Sequence, residues 1–291
     1  MTHRAPRDHH ANHADRAQRA RPTGSARDRA RRTLSQNFLA DPAALARYIR
    51  AVDTGPGELV VEVGAGDGRI TAALARRCAH VIAYEIDPHL VPRLRRRCAD
   101  LPDVTVVAGD FLRSRPPRRA FHLTGNIPYA ATARIVTWAL DAPHLTAATL
   151  ITQREYARKR TGDYGRWSRL TVASWPLFDW RLLGRIDRDR FRPVPRVDAA
   201  ILGLRRRPAP LLPPEALAGY RACVETGFTG RGGTLRASLR EHHPHRRVEA
   251  ALRTAGIDRD AVVAHVHPDQ WIRLFAVLYD VRHNMPYDPP R

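Results

Sequence analysis

The chain has 291 residues and a formal net charge of +20, with 49 Lys and Arg against 29 Asp and Glu. That length carries one large domain plus a small one, and the charge points to a polyanionic partner. No apolar run is long enough to cross a bilayer, and Cys78, Cys98 and Cys223 are too scattered for a zinc site and odd in number for a disulfide framework. Lys159 is the only lysine. Arginine suits phosphates and stacked bases; codon bias explains the choice of Arg over Lys, but not the excess of basic over acidic residues.

Residues 1–30 are rich in Arg, His, Asp and Ala with no apolar periodicity, so a disordered basic tail is expected. Its His9, His10 and His13 read as solvated rather than metal-binding. The N-terminus lacks an apolar signal core, and a cytoplasmic location is expected. Helical order should begin near Asp41-Pro42, a good N-cap followed by a good first helical residue. Leu59, Val60, Val61 and Val63 then read as a buried parallel strand. Gly64-Ala65-Gly66-Asp67-Gly68 follows, and a helical stretch runs over 69–77. A strand feeding a glycine-rich turn and a helix is a nucleotide-type corner, where the helix start attracts an anion. The dinucleotide fingerprint fails because Arg69 takes the place of its last glycine, and no Gly-Lys-Ser/Thr completes a phosphate loop. What is present, Glu62-x-Gly64-x-Gly66-x-Gly68, looks like the S-adenosylmethionine (SAM) loop of class I methyltransferases.

The next strand, 80–84, carries Glu85 at its carboxyl end, where an acidic side chain can accept hydrogen bonds from both ribose hydroxyls. A third strand, 104–108, leads to Asp110, a partner for the adenine amine, and Phe111, which can pack on the ring. A fourth, 121–124, leads directly into Asn126. Every polar candidate thus sits at the C-terminal end of a strand, where open parallel sheets bind ligands.

Asn126-Ile127-Pro128-Tyr129 suits one chemistry, methylation of an exocyclic base amine. That nitrogen is a poor nucleophile because its lone pair is delocalised into the ring. The Asn126 side-chain oxygen and the Ile127 carbonyl can each accept a hydrogen bond from the NH2 group. Pro128 stiffens the loop, and Tyr129 offers a ring for stacking. Asn-Pro-Tyr combinations are also ordinary turn material; the position after a glycine-rich strand–loop–helix unit gives this one its weight.

Downstream, Arg158, Lys159, Arg160, Arg166 and Arg169 read either as an RNA-facing patch or as a solvated helix face. Phe191 lies between basic residues and a Pro-x-Pro turn, which favours an exposed aromatic. A late strand is expected over 198–204 and a linker over 205–214. Short helices should follow, among them 268–279, with Trp271, Leu274, Phe275 and Leu278 as core. The expected fold class is α/β: a Rossmann-like class I SAM-dependent methyltransferase domain at 31–204 with a small C-terminal all-helical domain at 205–291.

The ordered motifs resemble the rRNA adenine N6-dimethyltransferases, most closely the Erm group, which confers resistance to macrolides, lincosamides and streptogramin B. The resemblance spans roughly residues 31–281. It includes Leu34-Ser35-Gln36-Asn37-Phe38-Leu39, the glycine loop, Glu85-Ile86-Asp87, Gly109-Asp110 and Asn126-Ile127-Pro128-Tyr129. Gln153 to Arg160, Tyr164-Gly165-Arg166-Trp167-Ser168 and Phe191 to Val197 continue it. It implies that Gln36, Asn37 and Leu39 fold over the cofactor SAM. Gly64 and Gly66 would face its methionine part, Glu85 and Ile86 the ribose, and Asp110 and Phe111 the adenine. Asn126 would touch both cofactor and target amine, while Tyr129 and Phe191 would hold a flipped adenine. The implied partner is 23S rRNA in a protein-poor precursor, with the protein a monomer and without a metal. Rival readings are the housekeeping small-subunit (16S) rRNA dimethylase, a DNA adenine methylase, and a non-catalytic nucleic-acid binder on the same fold.

Overall fold

Apolar runs and their punctuation set the framework. The structure, a computed structural model, describes residues 37–230 and 233–281. The tail expected at 1–30 and Gln36 therefore lie outside the described residues. Asp41 caps helix α1 (Pro42–Ala51), its carboxylate accepting the Ala44 N–H at 2.7 Å. The strands are β1 (Phe38–Leu39), β2 (Leu59–Val63), β3 (His80–Glu85), β4 (Val104–Ala108), β5 (Phe121–Asn126), β6 (Leu145–Gln153), β7 (Phe178–Ile186), β8 (Phe191–Arg192) and β9 (Ala199–Arg206).

Seven of them form one sheet in the order β4-β3-β2-β5-β6-β9-β7. The pairs from β4 to β6 are parallel, and β9 runs antiparallel between β6 and β7. From β2 the chain steps outward through β3 to β4, then returns beside β2 as β5 and steps the other way. That reversal opens a crevice at the carboxyl ends of β2 and β5, the place where such sheets take ligands. All five β2 residues are buried, as a strand covered on both faces must be. One sheet face packs Val60, Val81, Ile151 and Ile201 against Tyr48 and Leu74. The other joins Val61, Leu123 and Leu202 through Phe178 to Tyr220, Trp271 and Phe275 of the C-terminal helices.

Two expectations need correction. β9 extends to Arg206, so Arg205 and Arg206 are strand residues rather than linker. The stretch beyond it is pinned to the turn that precedes β7. Arg206 donates to the Leu145 and Ala142 carbonyls at 2.7 and 2.9 Å, Arg207 to the Trp175 carbonyl at 3.0 Å, and Leu211 and Leu212 are buried. Long Arg stems here satisfy carbonyls at chain reversals, a role that an Arg/Pro-rich composition hides. β7 is an edge strand whose exposed Arg181 and Arg185 blunt it against further pairing. The last helix, Pro268–Tyr279, buries Trp271, Leu274, Phe275 and Leu278 as their spacing requires. No helix among the described residues is long and apolar enough to cross a membrane.

Candidate active site

The glycine loop turns directly from β2. Gly64 and Gly66 have φ of +70° and +62°, in the left-handed region that glycine enters at least cost. At Gly66 a side chain is doubly excluded, because a Cβ would stand 2.9 Å from the Phe38 ring. The loop is held by the Gly64 and Ala65 N–H groups, which donate to the Tyr84 carbonyl at 2.9 Å. Glu85, one residue on, is 4% exposed and accepts from the Gly66 N–H at 2.7 Å and the Asp87 N–H at 2.8 Å. Burial raises its pKa, and those two N–H groups partly offset the rise. Each carboxylate oxygen keeps a second lone pair for a ligand hydroxyl.

Beneath the loop lies Glu62, fully buried, with Oε2 accepting from the Thr71 hydroxyl at 2.5 Å and Oε1 without a partner. It braces the loop onto the helix that follows. Burial pushes its pKa up from the usual 4.5 to about 7, with Glu85 and Asp67 adding to the rise. A raised folded-state pKa contributes stability that is whole below the unfolded value and lost as pH climbs through the folded one. Between pH 4.5 and 7 Glu62 should therefore cost the fold on the order of 3 kcal/mol. Urea unfolding at pH 5 and pH 7.5 tests this. Glu62→Gln should lose less stability on going up in pH than the parent does, and equal losses would remove Glu62 as the cause.

Asn126 ends β5 with its side chain fixed. Its Nδ2 donates to the Asn37 carbonyl at 2.6 Å, which leaves Oδ1 as the acceptor end for the cavity. Directly before it, the Gly125 N–H donates to the Tyr48 hydroxyl at 2.9 Å. That hydroxyl donates in turn to the Thr149 carbonyl at 2.8 Å and lies 2.6 Å from the Thr124 hydroxyl. Tyr48 is fully buried, so one phenol ties α1 to the end of β5 and the middle of β6.

Around Asn126 the crevice has two lobes. The first, about 570 Å³, is lined by Asn37, Phe38, Gly64, Gly66, Glu85 and Ile86, with Leu90 and the Asn126–Tyr129 segment closing it. The second, about 880 Å³, shares Gly64, Ile86 and Pro128 and adds Tyr84, Asp110 and Phe111. Phe111 stands edge-on to Tyr84 at 5.4 Å and 4.3 Å from Trp138, so an aromatic cluster forms the floor. Tyr129 is half-buried, and burial, with Asp198 adding, pushes its phenol up to about 12, so it stays neutral. This donor set fits SAM: backbone at positive-φ glycines for a close approach, an acid for a diol, and an apolar slot with one carboxylate for a purine.

The structure brings Asn37, Gly64, Gly66, Glu85, Ile86, Asp110, Phe111 and Asn126–Tyr129 together at these lobes. It does not do so for two others. Phe191 is fully buried, not an exposed stacking ring. Its pairing with Leu39 in the two-stranded β1–β8 ladder turns it into the core beneath α1. Leu39 is buried in the same core, and Phe38 lines the cavity in its place, because successive strand residues face opposite sides. Leu90, Tyr84, Trp138 and Tyr48 were missed. Only Tyr84 carried a signal, as the residue before Glu85 on its strand.

Beside the first lobe is a basic cavity lined by Arg154, Arg158, Arg185, Arg188 and Arg196, with Glu155 and Asp198 the only acids. Arg185 and Arg154 share Asp198 at 3.0 and 3.6 Å. Gln153 on its rim is two residues beyond Ile151, the β6 partner of Asn126. From the basic stretch read as a patch, Arg160 turns inward, donating to the Ser168 hydroxyl at 2.6 Å with its guanidinium over the Tyr156 ring.

Residues 27–280 match the family described as ribosomal RNA adenine dimethylase. The chain is 56% identical over 256 residues to the rRNA adenine N-6-methyltransferase of Streptomyces fradiae, covering 87% of this chain and 80% of that one. It is 38% identical over 251 residues to the mycinamicin-resistance protein MyrB of Micromonospora griseorubida, covering 86% and 80%. Among solved structures, the crystal structure of 23S rRNA methyltransferase ErmE superposes with a TM-score of 0.81 at 51% identity, covering 83% of this chain and 99% of that one.

Proposed function

Because the chain belongs to the ribosomal RNA adenine dimethylase family, we propose that it methylates N6 of one adenine in the peptidyl-transferase loop of 23S rRNA and thereby confers macrolide, lincosamide and streptogramin B resistance. It is an rRNA adenine N6-methyltransferase that uses SAM. The 23S target is supported by the likeness to ErmE, and resistance by the likeness to MyrB. Added methyls on such an adenine remove hydrogen-bond donors and crowd a drug bound there.

The observation that carries the reading is the tethered Asn126 amide. One Nδ2 hydrogen goes to the Asn37 carbonyl, which orients the amide and leaves Oδ1 to accept at the cavity, and acceptance is what an exocyclic NH2 requires. When bound, SAM supplies an electrophilic methyl group. Gly64 and Gly66 hold its methionine part, Glu85 its ribose, and Asp110 and Phe111 its adenine. The target adenine is extruded from structured RNA, since a base cannot be modified within its stack. Oδ1 of Asn126 and the Ile127 carbonyl hold its amine, Tyr129 packs on its ring, and positioning supplies much of the rate. The basic cavity and the helices beyond residue 204 take the RNA backbone. The protein works in the cytoplasm as a monomer, on a protein-poor precursor that still exposes the loop.

Transfer of labelled methyl from SAM to protein-free large- and small-subunit rRNA, with the modified base mapped, tests this. One labelled large-subunit adenine is expected. Label only in small-subunit RNA would replace this reading with the housekeeping dimethylase. Label in neither would sink the choice of substrate.

A further inference from the structure

We infer that Tyr164 is a stacking platform for an unpaired nucleotide of the RNA next to the extruded adenine; the inference rests on the RNA-methyltransferase reading above. Tyr164 is 69% exposed, more than any other large apolar side chain among the described residues. Its backbone sits at φ +64°, the left-handed region, where a bulky side chain is an outlier and where strain tends to mark function.

The surroundings hold it in that pose. The Arg158 guanidinium lies 3.6 Å from the ring centroid and is itself paired with Asp163. One ring face is thus occupied by a cation, and the exposure belongs to the other. The Tyr164 N–H donates to the Asp163 carboxylate at 2.9 Å. Behind it, Trp167 is anchored to the C-terminal part. Its N–H donates to the Ala264 carbonyl at 2.7 Å, and its ring stands edge-on to Trp175 and His267 at 5.6 and 4.8 Å. The loop has a fixed base and a presented aromatic tip.

The same Arg158 lines the basic cavity, so the ring stands at the edge of a place for phosphates whose rim residue, Gln153, ends the strand paired with the one that carries Asn126. A ring with a cation on one side and a phosphate-binding cavity at its edge has the complementarity of a nucleotide. The five arginines of the lining outnumber its two acids, an excess that a phosphate offsets and an apolar protein side chain does not. Stacking on such a ring tolerates any base, so the platform grips a neighbour of the target rather than reading it.

Tyr164→Asn separates the two possible roles of the residue. Asparagine accepts the left-handed backbone more readily, so the substitution removes the ring without straining the loop. The platform predicts an unchanged or higher Tm, unchanged SAM binding, and a Kd for a methylatable large-subunit RNA fragment raised about 5- to 100-fold. Tyr164→Phe should bind as the parent does. Replacing the unpaired neighbour of the target by an abasic site should weaken the parent and leave Tyr164→Asn no worse than it already is. Parent-like RNA binding by Tyr164→Asn overturns the platform while methylation by the parent keeps the enzyme reading. A matched fall in Tm and SAM binding overturns it in favour of a structural role. If the parent methylates no RNA, both readings fall together.

Discussion

Asn126→Ala should lower kcat for methyl transfer by on the order of 10²–10³-fold, the scale seen when one preorganised polar group at a reacting centre is lost. The substitution removes two things at once. The acceptor that would hold the amine disappears, and the Asn37 carbonyl loses the donor that fixes it at 2.6 Å. Asn126→Asp separates them. It keeps an acceptor at the cavity but sets a carboxylate against the Asn37 carbonyl, so the wall carrying Asn37 and Phe38 should be repelled. The KM for SAM should then rise more in Asn126→Asp than in Asn126→Ala. Single-turnover transfer and SAM titration of both variants measure the split. An Asn126→Ala enzyme with parental kcat would remove the amide from the mechanism.

Gly125→Ala should be the most destabilising small change in the catalytic sheet. A Cβ there would stand 2.3 Å from the Val63 carbonyl oxygen, and Val63 is backbone of the neighbouring buried strand, so nothing can swing aside. Gly109 provides the control, since its φ of +159° is close to the +151° of Gly125 but no atom lies within 4 Å of its would-be Cβ. Gly109→Ala isolates the backbone contribution, about 1 kcal/mol. Gly125→Ala adds the clash and should exceed about 4 kcal/mol, a large part of a typical domain's stability. Urea unfolding of the two variants reads the difference directly. Similar midpoints would mean that β2 and β5 separate more easily than their burial implies.

The parallel strands were legible because they are short apolar runs bounded by glycine or acid, and the polar site followed because ligands sit at such strand ends. β2 through β5 each lie within two residues of where the sequence puts them. What could not be read depends on partners distant in the chain. Leu39 and Phe38 look interchangeable until β8 pairs with β1 and decides which faces the cavity. Phe191 has the neighbours of a surface residue, yet the same pairing buries it. Tyr48 is an unremarkable aromatic on an amphipathic helix. Its importance comes from three contacts to β5 and β6, which no local pattern encodes.

The β1–β8 ladder also sets an order of assembly. Phe38 and Leu39 are fixed by Arg192 and Phe191, and the Ala40 N–H by the Arg190 carbonyl at 2.9 Å. A growing polypeptide halted before Phe191 already possesses the glycine loop, Glu85 and Asn126, but has no strand to hold Phe38 over Gly66. Such a chain would have a doorway without its door. The wall of the cofactor site closes only after β8 has emerged, so retention of SAM by a nascent chain would mark the moment that segments about 150 residues apart meet.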